Sequence, residues 1–313
     1  MDILLCGRFD ADEFDEWCAA LREVLPQARW LDLAAARETP DSVVAAVVAN
    51  PPPGSLQGWP QLRLIQSLWA GVERLLADPT LPAGVPVARM VDPAMNAAMA
   101  QTALWAVLSL HRGFFDYAQQ QRAGHWVQLA QRRADEVRVL VLGLGEMGRA
   151  AARALAALGY GVTGWSRRPQ PVLAGVAQAQ GADRLAALLP QTDIVVNLLP
   201  LTAATRGLLG AAFFAALPRG ASIVNLARGA HVVDADLLTA LDTGQLHHAV
   251  LDVFAVEPLP AGHAYWAHPR VTVLPHAAAA TDARSAAPVA AANLLAAWDG
   301  RRPAHLVDRD AAY

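Results

Sequence analysis

The stretch VRVLVLGLGEMGRAAARALAALGYGVTGWSRRP, Val137 to Pro169, decides how the chain is read. An apolar run suited to a buried strand, VRVLVL, leads directly into Gly143, Gly145 and Gly148. An amphipathic helical run, RAAARALAALG, follows at once, and a second strand-like run ends at Trp165-Ser166. A lone G-x-G-x-x-G is a weak signal, but strand before and helix after is the context it requires. Gly143 permits the tight turn, Gly145 lets backbone N–H groups approach a pyrophosphate, and Gly148 lets the helix sit close to the strand. The helix N-terminus then faces the phosphate charge. Gly143, Gly145, Glu146, Met147 and Gly148 are therefore the candidate phosphate-binding set of a dinucleotide site.

Such sites place an acid roughly 20 residues further on, where it binds the ribose 2′-OH. Here that position reads Ser166-Arg167-Arg168. A serine neither binds the diol as an acid does nor repels a 2′-phosphate. Two arginines add fixed cations able to grip phosphate in a bidentate manner. The expected cofactor is therefore NADP(H), with NAD(H) the weaker alternative.

The composition of the 313 residues excludes several function classes. The formal net charge is only -3, and no strongly basic arm is present, so neither nucleic acid nor an acidic membrane surface is an expected partner. The sequence contains no lysine, which excludes Schiff-base chemistry on this chain. Cys6 and Cys18 match no zinc or redox spacing and read as reduced, semi-buried thiols, and no metal is expected. The opening MDILLCGRFD reads as a first strand rather than a signal peptide, and no apolar run is long enough to span a membrane. A cytoplasmic protein is the expectation.

Along the chain, strand and helix signals alternate. DILLCG (2–7), VVAAVVA (43–49) and LRLIQSL (62–68) read as strands, and residues 11–25 carry Phe14, Trp17, Cys18, Leu21 and Leu25 at helical spacing. A long helix is expected from about Ala97 to Gln120. Beyond the glycine loop, strand-like runs recur in YGVTGWS, DIVVNLLP, ASIVNLA, HAVLDVF and VTVLPH, with helical segments such as AAFFAAL and DADLLTALDTG between them. This alternation means doubly wound parallel sheets. An Ala-rich helix from about Thr281 closes the sequence, with the N-terminal domain its candidate packing partner.

Three segments each place polar groups at the C-terminal end of a strand, where ligands bind in open α/β sheets. ASIVNLARG delivers Arg228, AVLDVFAVEPLP delivers Asp252 and Glu257, and RVTVLPHAAAAT delivers His276. Singly, each has an ordinary reading as a turn, a surface loop or a strand end; His247 and His248 read as merely exposed. Together, behind one dinucleotide loop, they suit reduction of a 2-oxo acid. Arg228 would pair with the substrate carboxylate and polarise the ketone, His276 would donate the proton, and Glu257 would hold His276.

These motifs, GLGEMG, NLLPLTAATRGLLG, NLARGAHVVDADLLTALDTGQL, LDVFAVEPLP and HPRVTVLPHAAAAT, resemble the D-isomer-specific 2-hydroxyacid dehydrogenase family, in its glyoxylate/hydroxypyruvate reductase A branch. The resemblance extends to MDILL, LWAGVERLL, the HW at 125–126 and the VDRDAAY tail. It implies that Arg228, Glu257 and His276 are catalytic. Trp69, Ala70, Gly71 and Val72 fall on the substrate-carboxylate loop, where Trp69 would narrow the pocket towards small side chains. Leu199, Pro200 and Thr205 fall on the segment lining the cofactor, with Ala227 and His276 adjoining it and Asp252 facing the nicotinamide carboxamide. Three positions depart from the family pattern: Glu73 stands for Asp, Gln101 for a Glu of the entering helix, and Ala277 for a small polar residue or Gly.

The resemblance also implies two Rossmann-like or flavodoxin-like α/β domains with a cleft between them. Residues 1–97 and 282–313 would form a discontinuous substrate domain and 98–281 the NADP-binding domain, with homodimers forming through the latter. The expected reaction is NADPH-dependent reduction of glyoxylate or hydroxypyruvate to (R)-2-hydroxy acids. A non-catalytic NAD(P)(H)-sensing regulator of the same fold is the alternative, and the intact Arg228/Glu257/His276 set argues against it. A formate-type dehydrogenase is disfavoured because those relatives pair the His with Gln.

Overall fold

The computed structural model describes residues 1–309, and Asp310–Tyr313, the end of the VDRDAAY tail, lie outside the described residues. The chain divides into two compact units: Met1–Met95 with the described residues from Thr281 onward, and Asn96–Ala280.

The first unit holds a parallel sheet of β1 (Asp2–Gly7), β2 (Arg29–Leu31), β3 (Val43–Ala49), β4 (Leu64–Ser67) and β5 (Val87–Ala88), in the order β2-β1-β3-β4-β5. That is the flavodoxin-like order. β3, VVAAVVA, is a near-continuous apolar run because helices cover both faces of a parallel sheet. Asp10 caps the helix Ala11–Val24, accepting from the Glu13 N–H at 2.8 Å, and Trp17, Cys18 and Leu21 form its buried face. The C-terminal helix Ala283–Trp298 packs against that helix and β4. Its buried Asn293 donates to Gln66 Oε1 on β4 at 2.7 Å.

The second unit holds β6 (Arg138–Leu142), β7 (Gly161–Ser166), β8 (Ala177–Gln180), β9 (Ile194–Asn197), β10 (Ala221–Asn225), β11 (Leu246–Leu251) and β12 (Val271–Val273). Their order is β12-β11-β10-β9-β6-β7-β8, all parallel. The order reverses between β6 and β9, and ligands of doubly wound sheets bind at such a switch point. Successive residues of β6 point to opposite faces: Val139 and Val141 enter one core, Leu140 and Leu142 the other.

Four expectations need correction. The single helix expected over 97–120 is two helices, Pro93–His111 and Phe114–Ala123, broken where Gly113 adopts φ 69°. Only glycine takes that left-handed conformation readily. β8 (AQAQ) was not anticipated, since alternating Ala and Gln on an edge strand carry little β-propensity. His248 is buried rather than exposed, stacked on Phe115 with ring centroids 4.5 Å apart and its Nε2 2.9 Å from Thr272 Oγ1. Adjacent residues of a strand face opposite sides, so His247 and His248 cannot share one exposure. Cys6 and Cys18 are buried rather than half-buried, both as free thiols.

Candidate active site

The glycine loop joins β6 to the helix Glu146–Ala157. Gly143 has φ 93°, and a Cβ there would lie 2.6 Å from the Leu198 carbonyl oxygen. At Gly148 a Cβ would lie 1.8 Å from the Gly143 carbonyl oxygen, so this glycine lets the helix sit on the strand. Gly145 differs from both. A Cβ there would meet nothing within 4 Å, and its φ of -68° is open to any residue. The fold does not require this glycine; open space beside a helix N-terminus fits a ligand's approach. Glu146 and Met147 follow as the first residues of that helix. The residues present thus fit a dinucleotide.

β7 ends at Ser166, which is buried and whose hydroxyl donates to the Arg168 carbonyl at 2.7 Å. Ser166 thus fastens the turn that presents Arg167 and Arg168, both exposed. No carboxylate occupies the position where an acid would repel a 2′-phosphate.

β10, β11 and β12 are neighbours, with Asn225 paired to Leu251 and Leu251 to Val273, so their C-terminal loops emerge side by side. Glu257 Oε2 lies 2.7 Å from His276 Nδ1, and Glu257 Oε1 accepts from the Phe254 N–H at 2.8 Å. A carboxylate can only accept, so Nδ1 is the donor of the pair and Nε2 is left to face a ligand. The imidazole is about half exposed, at 53 %. His276 has φ 54°, uncommon for a side-chain-bearing residue. Its turn is held by Asp252, whose backbone oxygen accepts from His276 N–H at 2.9 Å. The Asp252 carboxylate accepts from the N–H groups of Ala277 at 2.7 Å and Ala278 at 3.1 Å. Burial pushes the Asp252 carboxyl above its usual range, while those two N–H groups pull the other way.

Arg228 directly follows buried Ala227, and its Nη1 donates to the Ala227 carbonyl at 2.6 Å. The next residue explains how this turn meets the Glu257 loop. A Cβ on Gly229 would lie 1.8 Å from the Phe254 carbonyl carbon, so only glycine allows the two backbones this close. Hydrogen bonds thus tie Asp252, Glu257 and His276 together, and backbone packing brings in the Arg228 turn.

Sequence reasoning missed the residues that set these loops. Asn197 and Asn225, both fully buried, end β9 and β10 and bond to each other, Asn197 Nδ2 to Asn225 Oδ1 at 3.0 Å. Asn197 Oδ1 accepts from Leu199 N–H at 3.3 Å, and Asn225 Nδ2 donates to the Arg228 carbonyl at 3.0 Å. The repeated V-N-L at the ends of two strand runs was the available signal. Buried His231 has its ring nitrogens 3.1 Å from the Arg228 carbonyl and 3.3 Å from the Pro200 carbonyl. Pro200 also accepts from Thr205 Oγ1 at 2.8 Å, so Leu199, Pro200 and Thr205 form one fixed loop.

Trp69–Val72 belong to the first unit, in the loop between β4 and the short helix Glu73–Leu76. Ser67 Oγ holds this loop, accepting from Trp69 N–H at 3.0 Å, while the Trp69 carbonyl accepts from Met90 N–H at 3.1 Å.

Comparison with known proteins now decides the family. Residues 104–278 match the family model described as D-isomer specific 2-hydroxyacid dehydrogenase, NAD binding domain. A glyoxylate/hydroxypyruvate reductase A of Serratia proteamaculans (strain 568) is 41 % identical over 299 residues, covering 94 % of this chain and 95 % of that protein. The chain belongs to the D-isomer-specific 2-hydroxyacid dehydrogenase family, in its glyoxylate/hydroxypyruvate reductase A branch. Among solved structures, a D-isomer-specific 2-hydroxyacid dehydrogenase from Xanthobacter autotrophicus Py2, in complex with NADPH and MES, superposes with TM-score 0.94 at 40 % identity, covering 100 % of this chain and 99 % of that one. An NADPH-dependent glyoxylate/hydroxypyruvate reductase from Sinorhizobium meliloti, in complex with NADP and sulfate, gives TM-score 0.91 at 36 % identity, with 100 % and 99 % covered. The α/β fold and the family read from the motifs are both borne out.

Proposed function

We propose that the protein is an NADPH-dependent reductase of small 2-oxo acids, glyoxylate and hydroxypyruvate first, yielding the corresponding 2-hydroxy acids, of (R) configuration where the new carbinol carbon is chiral. The observation that carries this reading is the Glu257–His276 pair, with Nδ1 tied down at 2.7 Å and Nε2 left for substrate, beside the Arg228 turn. Relatives at 36–41 % identity that are named glyoxylate/hydroxypyruvate reductases support it, as do the family structures in complex with NADPH or NADP.

The phosphates would be held by the Gly143–Gly148 loop and the adenosine 2′-phosphate by the turn of Arg167 and Arg168. Leu199, Pro200, Thr205, Ala227 and Asp252 would line the remainder, with His276 adjoining the nicotinamide. When bound there, NADPH would supply the hydride for the substrate's carbonyl carbon. Arg228 holds the substrate carboxylate and polarises the ketone, aided by N–H groups of Ala70, Gly71 and Val72, and Trp69 limits side-chain size. His276 gives its Nε2 proton to the carbonyl oxygen, completing the hydroxyl. Glu257 fixes the imidazole so that this proton points outward; general acids of this kind contribute about 10²–10⁴-fold.

Following NADPH and NADH oxidation with glyoxylate, hydroxypyruvate, pyruvate and phenylpyruvate tests the reading. NADPH with the two small substrates should give the highest kcat/KM. Equal rates with both cofactors, or a preference for phenylpyruvate, would contradict it; cofactor binding with no turnover would support the sensor instead.

The same reading includes a homodimer formed through the second unit. Trp105 and Phe114, both exposed, line a surface pocket of about 540 Å³ there with Leu104 and Leu108. Trp126 is 96 % exposed on the same unit. Free Cys6 and Cys18 suit the reducing cytoplasm in which we place the protein. Among the described residues no helix is long and apolar enough to cross a membrane.

A further inference from the structure

Beside the turn of Arg167 and Arg168, the structure contains a pocket of about 510 Å³ whose lining includes Ser166, Gln170, Gln180 and Arg184. The lining cation is Arg184, and no carboxylate lines the pocket. Arg184 stands in the helix Ala182–Leu188, which follows β8 directly. β8 brings it to this place: Ser166 pairs with Gln180 across the β7–β8 ladder, and the Gly181 N–H donates to the Ser166 carbonyl at 3.3 Å. In sequence, Arg184 lies far from the turn that the Ser-Arg-Arg motif marks; in the fold, it shares a pocket with that motif's serine.

The adjoining loop is built rather than loose. Gln178 Oε1 accepts from the Leu173 N–H at 3.1 Å, and its Nε2 donates to the Pro171 carbonyl at 3.1 Å. Arg149 Nη1 donates to the same carbonyl at 2.7 Å, and Ser166 fastens Arg168. Gln178 and Arg149 are thus committed to shaping the loop. Arg184 is exposed, and among the described residues its guanidinium makes no ion pair or hydrogen bond.

We propose that Arg184 is a further specificity-determining residue for the 2′-phosphate of NADPH, acting from the β8 side of the pocket while Arg167 and Arg168 act from the turn. This rests on the NADPH reading above and deepens it. A guanidinium offers paired N–H donors to phosphate oxygens, and such charge-assisted bonds are about twice as strong as neutral ones. A diol in place of the phosphate offers nothing for that charge, so the effect falls on NADPH and spares NADH.

Equilibrium binding to the full-length protein, by calorimetry or fluorescence, separates the possibilities without relying on turnover. The probes are NADPH, NADH, adenosine 2′,5′-bisphosphate and AMP. Arg184→Gln should raise the NADPH and bisphosphate Kd by ~10-fold, the loss expected for one charge-assisted bond. It should leave NADH and AMP within ~2-fold, and Arg184→Lys should recover part of the loss through its charge. An equal loss for NADPH and NADH would make Arg184 a structural residue and overturn the proposal. No loss for either, in a protein whose wild type prefers NADPH, would assign the phosphate to Arg167 and Arg168 alone and also overturn it. A wild-type protein that binds NADH as tightly as NADPH would refute the cofactor reading itself, and this inference with it.

Discussion

Glu257 satisfies two groups at once: one carboxylate oxygen anchors it to the Phe254 N–H, and the other aims His276. Glu257→Gln keeps the shape and loses the charge. The expected result is a fall in kcat of about 10²-fold, with the NADPH Kd nearly unchanged. An unchanged kcat on glyoxylate would remove Glu257 from its assigned role. His248, stacked on Phe115, provides a second test, this time of stability. Burial lowers its pKa from 6.5 to about 4, and neighbouring His247, His268 and Arg270 add to the shift while Asp116 opposes it. The folded-state pKa is depressed, so below about 6.5 the unfolded chain takes up a proton that the native state refuses. Stability from this site is therefore lost as pH falls from about 6.5 to about 4, by up to about 3 kcal/mol. Thermal melts of His248→Phe against the parent should show a shallower acid slope across that window; parallel slopes would mean that the histidine titrates normally.

The glycine loop shows at element scale how fold and function divide one motif. Gly148→Ala would push a methyl group into the Gly143 carbonyl, 1.8 Å away, and should cost about 3 kcal/mol, read as a lower Tm. Gly145→Ala meets open space, so Tm should stay within a degree or two while the Kd for NADPH and NADH rises together. Loss of stability at Gly145 with binding intact would mean that the loop is structural only. Both glycines were legible in the sequence, because the strand–loop–helix context is local. The long apolar strands and the Glu257–His276 pair were legible for the same reason, each motif sitting at the end of an apolar run, whereas the short strands β2 and β5 carry too few residues to make one. What escaped depends on contacts between segments distant in sequence. The close approach of Gly229 to Phe254, the bridge of His231 between two loops and the Asn197–Asn225 pair leave no local pattern strong enough to mark them. β8 escaped because its residues lack β-propensity, and with it went the placement of Arg184 beside Ser166.

At the scale of the whole molecule, the order of strands explains why residues scattered from Gly143 to His276 gather along the C-terminal edge of one sheet. All seven strands of the second sheet run parallel, so the site loops of that unit each leave a C-terminal strand end. The exposed aromatics of that unit offer a test of the proposed homodimer. If Trp105 and Phe114 are covered by a second copy, Trp105→Glu with Phe114→Glu should turn a dimer into a folded monomer, seen as a halved mass in light scattering. A wild-type monomer, or a double variant that stays dimeric, would place the interface elsewhere or remove it.

The assignment of His276 as the proton donor of a 2-oxo acid reduction stands or falls on one paired measurement. It is the kcat of His276→Ala on glyoxylate with NADPH, taken together with its NADPH Kd. Loss of 10²-fold or more in kcat, with a Kd within about twofold of the parent, is the expected result. A variant that binds NADPH normally and turns over at the parental rate would contradict the mechanism.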